Sequence, residues 1–309
     1  MTTLVTGAAG FAGSHLIDLL HERGAAVVAW RRPGRELPSA REGVTWQAVN
    51  ITDRAAVFEA VASLRPDTVY HCAGESHVGR AWEQTTATFD TNVRGTHYLL
   101  EALRVAGLRS RVLIPSSALV YASTDGVLSE DSPLVPHSPY GLSKLAQEMT
   151  ALRARADGLH VTIARAFNHT GPRQDPYFAA SGFARRIADI EAGRWEPEIA
   201  VGNLDARRDM HDVRDTVRAY ATILDDGVDG RAYNVCSGRA ISIRTLLDKM
   251  LAQARVPIRV RVDPARYRPN DVPLLVGDPT RLTAELGWLP EIPLERTITD
   301  LLSYWRNQV

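Results

Sequence analysis

Thr3-Leu4-Val5-Thr6-Gly7-Ala8-Ala9-Gly10-Phe11-Ala12-Gly13-Ser14-His15-Leu16-Ile17-Asp18-Leu19-Leu20 reads as strand, glycine turn and helix, and the rest of the chain is interpreted from it. Leu4 to Thr6 is a short strand-like run, and Leu16, Ile17, Leu19 and Leu20 keep helical spacing until Gly24 stops them. Gly7 permits a tight turn, Gly10 lets backbone amides close on a pyrophosphate, and Gly13 lets helix and strand pack closely. The helix start, with Phe11 and Ala12 beside Gly10, offers that anion unpaired N–H groups and a positive dipole end. A glycine pattern in this setting predicts a dinucleotide-binding unit.

The next strand, Ala26 to Trp30, ends in Arg31-Arg32-Pro33-Gly34. An acidic side chain there would hold the 2′-hydroxyl of NAD, whereas arginine suits the 2′-phosphate of NADP. NADP(H) is therefore the expected cofactor, NAD(H) the alternative, with Arg31 and Arg32 on the phosphate. Val44 to Val49 and Thr68 to His71 follow as strands, and Asp53 is expected to cap the helix between them. A helical span from Ala81 to Val105 precedes a strand over Arg111 to Pro115, with Pro115 tolerable near the strand end. Ser116-Ser117 then fall at the carboxyl edge, where open α/β sheets bind ligands. From Pro139 a run with few helix breakers carries Tyr140 and Lys144 one turn apart. A phenol with an ordinary pKa of about 10 is a poor acid or base near neutrality, and an ammonium nearby favours its ionised form. Ser117, Tyr140 and Lys144 are thus the candidate catalytic set.

Val161 to Arg165 makes a sixth strand, after which the regular alternation stops. The expectation is an α/β fold: a Rossmann-type doubly wound parallel sheet over 1–165, a returning strand near 232–237, and a smaller C-terminal α/β substrate-binding region over 166–309. Arginines concentrate in that second half, and bidentate guanidinium contacts suit a diphosphate. Arg173, Arg185, Arg186, Arg207, Arg208, Arg266 and Arg268 lie on segments a fold could bring together.

Composition narrows the class. In 309 residues, Lys plus Arg and Asp plus Glu both total 36, so no net charge points to a nucleic-acid or membrane-surface partner. Two cysteines without a CxxC form no disulfide framework, and no leader or long apolar stretch precedes the first strand, which together read as cytoplasmic. Nine histidines include no HExxH and no convincing ligand set, so no metal is expected.

The Gly7-x-x-Gly10-x-x-Gly13 spacing, Ser117-x-x-Val120-Tyr121 and Tyr140-x-x-x-Lys144 resemble the extended branch of the short-chain dehydrogenase/reductase superfamily. Asn168-His-Thr-Gly-Pro172, Val201-Gly-Asn203-Leu, Arg268-Pro-Asn-Asp271-Val-Pro273 and Gly287-Trp-Leu-Pro290 are similar to the group holding GDP-mannose 4,6-dehydratases and GDP-4-keto-6-deoxy-D-mannose reductases, and closest to the reductases. The likeness runs essentially end to end. It implies cofactor contacts from Asn50, Ile51, Ala73, Gly74, Ser76, Asn92 and His169 as well as the glycine turn. For a GDP-sugar it implies contacts from Asn168, Arg208, Arg268 and Asp271, with Arg185 and Asn203 as further candidates. It also implies a homodimer through the Ala81 to Val105 and Tyr140 to Arg155 helices.

Several outcomes share this frame. A 4,6-dehydratase of this group uses a carboxylate two residues before the tyrosine matching Tyr121; Leu119 stands there and cannot move a proton. A 4-epimerase would keep NAD bound and is expected to carry an acidic residue where Arg31 stands. A non-catalytic NADP-binding sensor is the third alternative, and the retained Tyr140 and Lys144 speak against it. The expected reaction is NADPH-dependent reduction of the C4 ketone of GDP-4-keto-6-deoxy-D-mannose to a GDP-6-deoxyhexose of the GDP-D-rhamnose kind.

Overall fold

In the computed structural model, which describes residues 2–34, 41–267 and 272–309, the opening strand β1 (Thr3–Thr6) is buried along its whole length. Polar groups in such a strand need partners: Thr3 Oγ1 accepts from Thr68 at 3.0 Å, and Thr6 Oγ1 bonds His71 Nδ1 at 2.8 Å. Next come α1 (Phe11–Glu22), β2 (Val27–Arg31), β3 (Val44–Ala48), α2 (Arg54–Leu64) and β4 (Thr68–His71). Asp53 caps α2, accepting the Ala56 amide at 3.2 Å. Then follow α3 (Val78–Glu83), α4 (Thr85–Phe89), a π-helical turn over Asp90–Arg94, α5 (Gly95–Val105), β5 (Arg111–Ser117), α6 (Pro139–Arg153) and β6 (His160–Ala166). The remainder holds β7 (Asn168–Thr170), α7 (Ala179–Glu191), β8 (Glu198–Val201), β9 (Arg207–Asp212), α8 (Val213–Asp226), β10 (Ala232–Val235), β11 (Ala240–Ser242), α9 (Ile243–Leu251), β12 (Arg259–Val262), β13 (Leu274–Leu275), α10 (Thr280–Leu286) and α11 (Leu294–Arg306).

Seven strands form one parallel sheet in the order β10-β6-β5-β4-β1-β2-β3. Helices α1 and α8 pack on one face, and α2, α5 and α6 on the other, each over its own apolar core. This is the doubly wound arrangement, with its crevice where the order reverses between β1 and β4. The second half is not one block: α8 and β10 return to the large sheet, while α7, α9, α11 and β8 surround a separate core. Among the described residues no helix is long and apolar enough to cross a membrane.

Two expected elements differ. The span read as one helix over Ala81 to Val105 is interrupted at Gln84 and widens into the π turn. Hydroxyls of Thr85, Thr88 and Thr91 bond the carbonyls of Ala81, Gln84 and Ala87 at 2.9–3.1 Å, a back-bonding that loosens a helix. The fifth strand runs on to Ser117, so Ser116 and Ser117 belong to it and Pro115 is interior. Pro115 is tolerated because β4 pairs with β5 only as far as Leu113, so no ladder partner waits on that side.

Beneath α6, Arg165 of β6 grips Glu148 with bonds of 2.9 and 3.1 Å, and both side chains are buried. Glu148→Ala leaves a buried guanidinium unpaired and should cost about 3–5 kcal/mol, read as a lower urea midpoint. The double change Glu148→Met with Arg165→Met should recover most of that loss.

Candidate active site

Ser117 closes β5 and Tyr140 opens α6, and the Ser117 side chain lies near enough to the phenol to bear on its proton. The helix starts there because Ser138 accepts the Gly141 amide at 3.0 Å and Pro139 fills the first helical turn. Ser117 Oγ accepts the Leu119 amide at 3.2 Å. Burial pushes the phenol up to about 12, Ser117 opposes that rise and Glu75 adds to it. Tyr140 is therefore held as the protonated acid. The ammonium expected to favour its ionised form is engaged elsewhere: Lys144 Nζ donates to the Pro115 carbonyl and to Gln147 Oε1.

The glycine turn fits a dinucleotide diphosphate. Gly10 caps α1 without a side chain, so the first amides of that helix are open to a ligand. Beside them lies a cavity of about 350 Å³ lined by Ala9, Gly10, Phe11, Ser14, Arg41 and Arg173 among others. Gly7 has φ +62°, and a Cβ on it would fall 2.6 Å from the Ala73 amide nitrogen; one on Gly13 would fall 2.3 Å from the Gly7 carbonyl. Ala12 follows Phe11 in the first turn of α1. Arg31 ends β2 and Arg32 follows it, exposed. Asn50 is exposed, its Oδ1 accepting from the Thr52 amide and hydroxyl, while Ile51 is buried beside Gly95.

Ala73, Gly74 and Ser76 lie on the turn after β4. Asn92, expected among the cofactor contacts, sits behind that turn and is fully buried. Its Oδ1 accepts the Glu75 amide at 2.7 Å, and its Nδ2 donates to the Glu75 carbonyl and to Ser143 Oγ. It ties the turn to α6 rather than facing open space. His169 reaches the glycine turn from the second half, stacked on Phe11 with centroids 5.8 Å apart and planes 7° apart. Because the Phe167 carbonyl can only accept, His169 Nδ1 carries the proton in their 3.0 Å bond.

Of the expected substrate residues, Asn168 and Arg208 lie on paired strands, Asn168 of β7 standing opposite Met210 of β9. Asn168 is exposed at the start of β7, and Arg208 lies on β9, donating to the Arg207 carbonyl at 2.9 Å. Asn203 Oδ1 accepts the Asp205 amide at 2.9 Å in a local turn. Arg185 faces Asp189 at 3.7 Å and covers the Trp305 ring, Arg186 covers Trp195, and Arg266 faces Asp263. Arg268 and Asp271 lie outside the described residues. Arg173, which its residue type groups with them, instead crosses to α1: it donates to His15 Nδ1 at 2.6 Å and pairs with Asp18, which also holds Arg41. The left-handed φ of 72° at Arg173, just after Gly171-Pro172, makes that crossing and leaves no signal in composition. Asp209 likewise carries no sequence signal of its role; its buried carboxylate accepts the Ser237 and Gly238 amides at 2.8 and 2.9 Å, tying β9 to the loop after β10.

Leu119 lines a small apolar cavity of about 70 Å³ with Val78, Trp82, Tyr121 and His137. Tyr121 turns its hydroxyl away to Asn234 Oδ1 at 2.6 Å, and His137 Nε2 accepts the Ser123 amide at 3.1 Å.

A family model described as GDP-mannose 4,6 dehydratase matches residues 4–301. A GDP-6-deoxy-D-mannose reductase of Pseudomonas aeruginosa is 34% identical, over 99% of this chain and 97% of that protein. Among solved structures, RMD from Pseudomonas aeruginosa complexed with NADPH superposes with a TM-score of 0.88 at 31% identity, covering all of both chains. The UDP-glucose 4-epimerase of Thermus thermophilus in complex with NAD gives 0.90 at 28% identity, again covering both chains in full.

Lys144 generates a test that needs no substrate. Burial pulls its ammonium from the ordinary 10.5 down to about 8, opposed by Glu148 and then Cys72. Between those values the unfolded chain binds one more proton than the folded one, so this group's contribution to stability rises with pH. Relative to Lys144→Met, the native chain should gain about 3 kcal/mol over that window. Urea unfolding of both proteins at its two ends measures the gain.

Proposed function

Because this chain belongs to the GDP-mannose 4,6-dehydratase family of extended short-chain dehydrogenase/reductases, we propose that it reduces the C4 ketone of a GDP-4-keto-6-deoxyhexose with NADPH, giving a GDP-6-deoxyhexose. The observation that carries this reading is a protonated Tyr140 opening α6 across from Ser117 at the end of β5, with Leu119 rather than a carboxylate in the following turn. NADPH, when bound, supplies the hydride to C4. Tyr140 gives its proton to the developing alkoxide, and Ser117 Oγ donates a hydrogen bond to the same oxygen. Lys144, one helical turn from Tyr140, is proposed to help carry the phenolate that results and to hold the nicotinamide ribose. The glycine turn, with Phe11 and Ala12, receives the diphosphate of the cofactor, and Arg31 and Arg32 its 2′-phosphate. NADPH is supported by the cofactor in the RMD complex, while the NAD in the epimerase complex keeps NAD(H) as the alternative.

Leu119 separates this reading from dehydration. Expelling the 6-hydroxyl needs an acid or base beside the sugar, and Leu119 supplies none. His137 on the same wall has its Nε2 occupied by the Ser123 amide. Asn168, Asn203, Arg185 and Arg208, with Arg268 and Asp271, are proposed for the nucleotide-sugar side. We further propose a homodimer through α5 and α6, whose surface leaves Val105, Leu142 and Met149 about half exposed. Both cysteines are free, which suits a reducing cytoplasm.

Incubation with GDP-4-keto-6-deoxy-D-mannose and NADPH should oxidise the cofactor and yield a reduced sugar identifiable by NMR. No oxidation, with interconversion of UDP-hexoses instead, would establish the epimerase alternative. Tyr140→Phe should lose ~10²–10⁴ in turnover and keep NADPH binding, followed by fluorescence. Arg31→Ala should weaken NADPH far more than NADH; equal losses would overturn the assignment of the 2′-phosphate to this arginine. Leu142→Asp with Met149→Asp should shift the sedimentation velocity from dimer to monomer.

A further inference from the structure

Lys144 is 7% exposed and its charge lies on the sheet side of α6, where an ammonium needs acceptors. Two are present, the Pro115 carbonyl and Gln147 Oε1. A carboxamide can present oxygen or nitrogen, and only the oxygen is useful here. What fixes it is a chain of buried hydrogen bonds whose proton order has a single solution.

Thr96 Oγ1 donates to the Asn92 carbonyl at 2.6 Å, because a carbonyl can only accept. Its one proton is then committed, so Thr96 must accept both Gln147 Nε2 and His71 Nε2, each at 2.8 Å. Gln147 therefore turns its nitrogen to Thr96 and its oxygen to Lys144. His71 carries its proton on Nε2, so Nδ1 accepts from Thr6 Oγ1 at 2.8 Å. Thr6 Oγ1 in turn accepts the Ala73 amide at 3.1 Å, on the turn proposed to face the cofactor. Burial, then Lys144, lowers His71 to about 3, which keeps it neutral and the order unchanged across the working range.

We propose that Gln147, with its amide oriented by Thr96 and His71, is a positioning residue that holds the Lys144 ammonium in place and helps it keep its proton. Of the three N–H groups of that ammonium two are bound inward, leaving one for the cofactor or the phenolate. The proposal rests on the reductase reading for its kinetic readout. Glu148 and then Cys72 favour the same charge through space, whereas Gln147 is a side chain that accepts from it directly. Glu148 on the same helix is bound by Arg165 of β6, and Tyr140 is protonated. From the end of β4 come neutral His71 and the Cys72 thiol, which burial raises to about 12. Asp90 and Arg94 of the π turn pair with each other at 3.2 Å, and β5 offers the Pro115 carbonyl and Ser117.

The test compares pH profiles of kcat/KM and of NADPH affinity for the native chain, Gln147→Leu, Gln147→Glu and Thr96→Val. The alkaline limb, expected near 8 in the native chain, should move down by about one pH unit in Gln147→Leu and up by a similar amount in Gln147→Glu. Thr96→Val, which frees the amide to rotate, should move it down by less. A loss of activity by one constant factor at every pH, with limbs unmoved in both readouts, overturns the proposal. Should Gln147→Leu fail to fold, Gln147→Glu has nearly the same volume, and the presence or absence of its upward shift decides the same question. NADPH affinity is followed by fluorescence without any sugar, so absence of ketone reduction by the native chain removes the reductase reading while the affinity limb still decides the role of Gln147.

Discussion

A buried ammonium has to be given acceptors, and much of the molecule between β4 and α6 is arranged around that requirement. Lys144 can be buried because β4 stops pairing with β5 at Leu113, which leaves the Pro115 carbonyl unclaimed by the sheet. A proline at that position also removes an N–H that would have had no partner. The widened turn over Asp90–Arg94 sets Asn92 against both the Glu75 backbone and Ser143, so the cofactor-side turn and α6 share one anchor. Each of these features looks irregular alone. Together they let a charged side chain lie against a parallel sheet with its donors satisfied.

The same economy of polar groups joins the two halves. Among the described residues no ion pair is formed by Asp209; backbone amides from the loop after β10 and from Gly277 bond its carboxylate, fixing β9 to the edge of the large sheet. On the opposite flank His15 donates to the Pro172 carbonyl and accepts from Arg173, and burial, then Arg173, lowers its pKa to about 4. Neutral His15 is the form that can make both bonds. The chain entering the second half is thus tied to α1 beside the glycine turn, and occupancy of that turn and the posture of the second half share residues.

What the sequence made legible follows from which forces are local. The opening strand, glycine turn and helix, the cap at Asp53, the strand at Thr68–His71 and the i, i+4 spacing of Tyr140 and Lys144 depend on near neighbours, and the structure has them where the residues put them. The return of Ala232–Val235 to the sheet was also readable. The break in the helical span was not, because it arises from threonine hydroxyls competing for carbonyls one turn back. Nor were the present neighbours of the arginines: Arg186 lies over the Trp195 ring, Arg185 and Arg266 face Asp189 and Asp263, and Arg208 donates to the Arg207 carbonyl. Gln147 stood in view three residues after Lys144, but its meaning depends on Thr96 and His71, which only the fold brings near.

How protons are stored bears on which step the proposed chemistry finds easy. A tyrosine that must remove a proton benefits from a nearby cation in the resting protein; one that must deliver a proton benefits from keeping it until the alkoxide appears. Here burial raises the phenol, Ser117 opposes that rise, and the Lys144 charge is bound back into the protein. On the reductase reading proposed above, that arrangement would store the proton on Tyr140 and keep the Lys144 charge one helical turn away for the phenolate that forms. It is the resting state suited to reduction of a ketone. Oxidation of an alcohol on the same frame would have to begin from the costlier, deprotonated form.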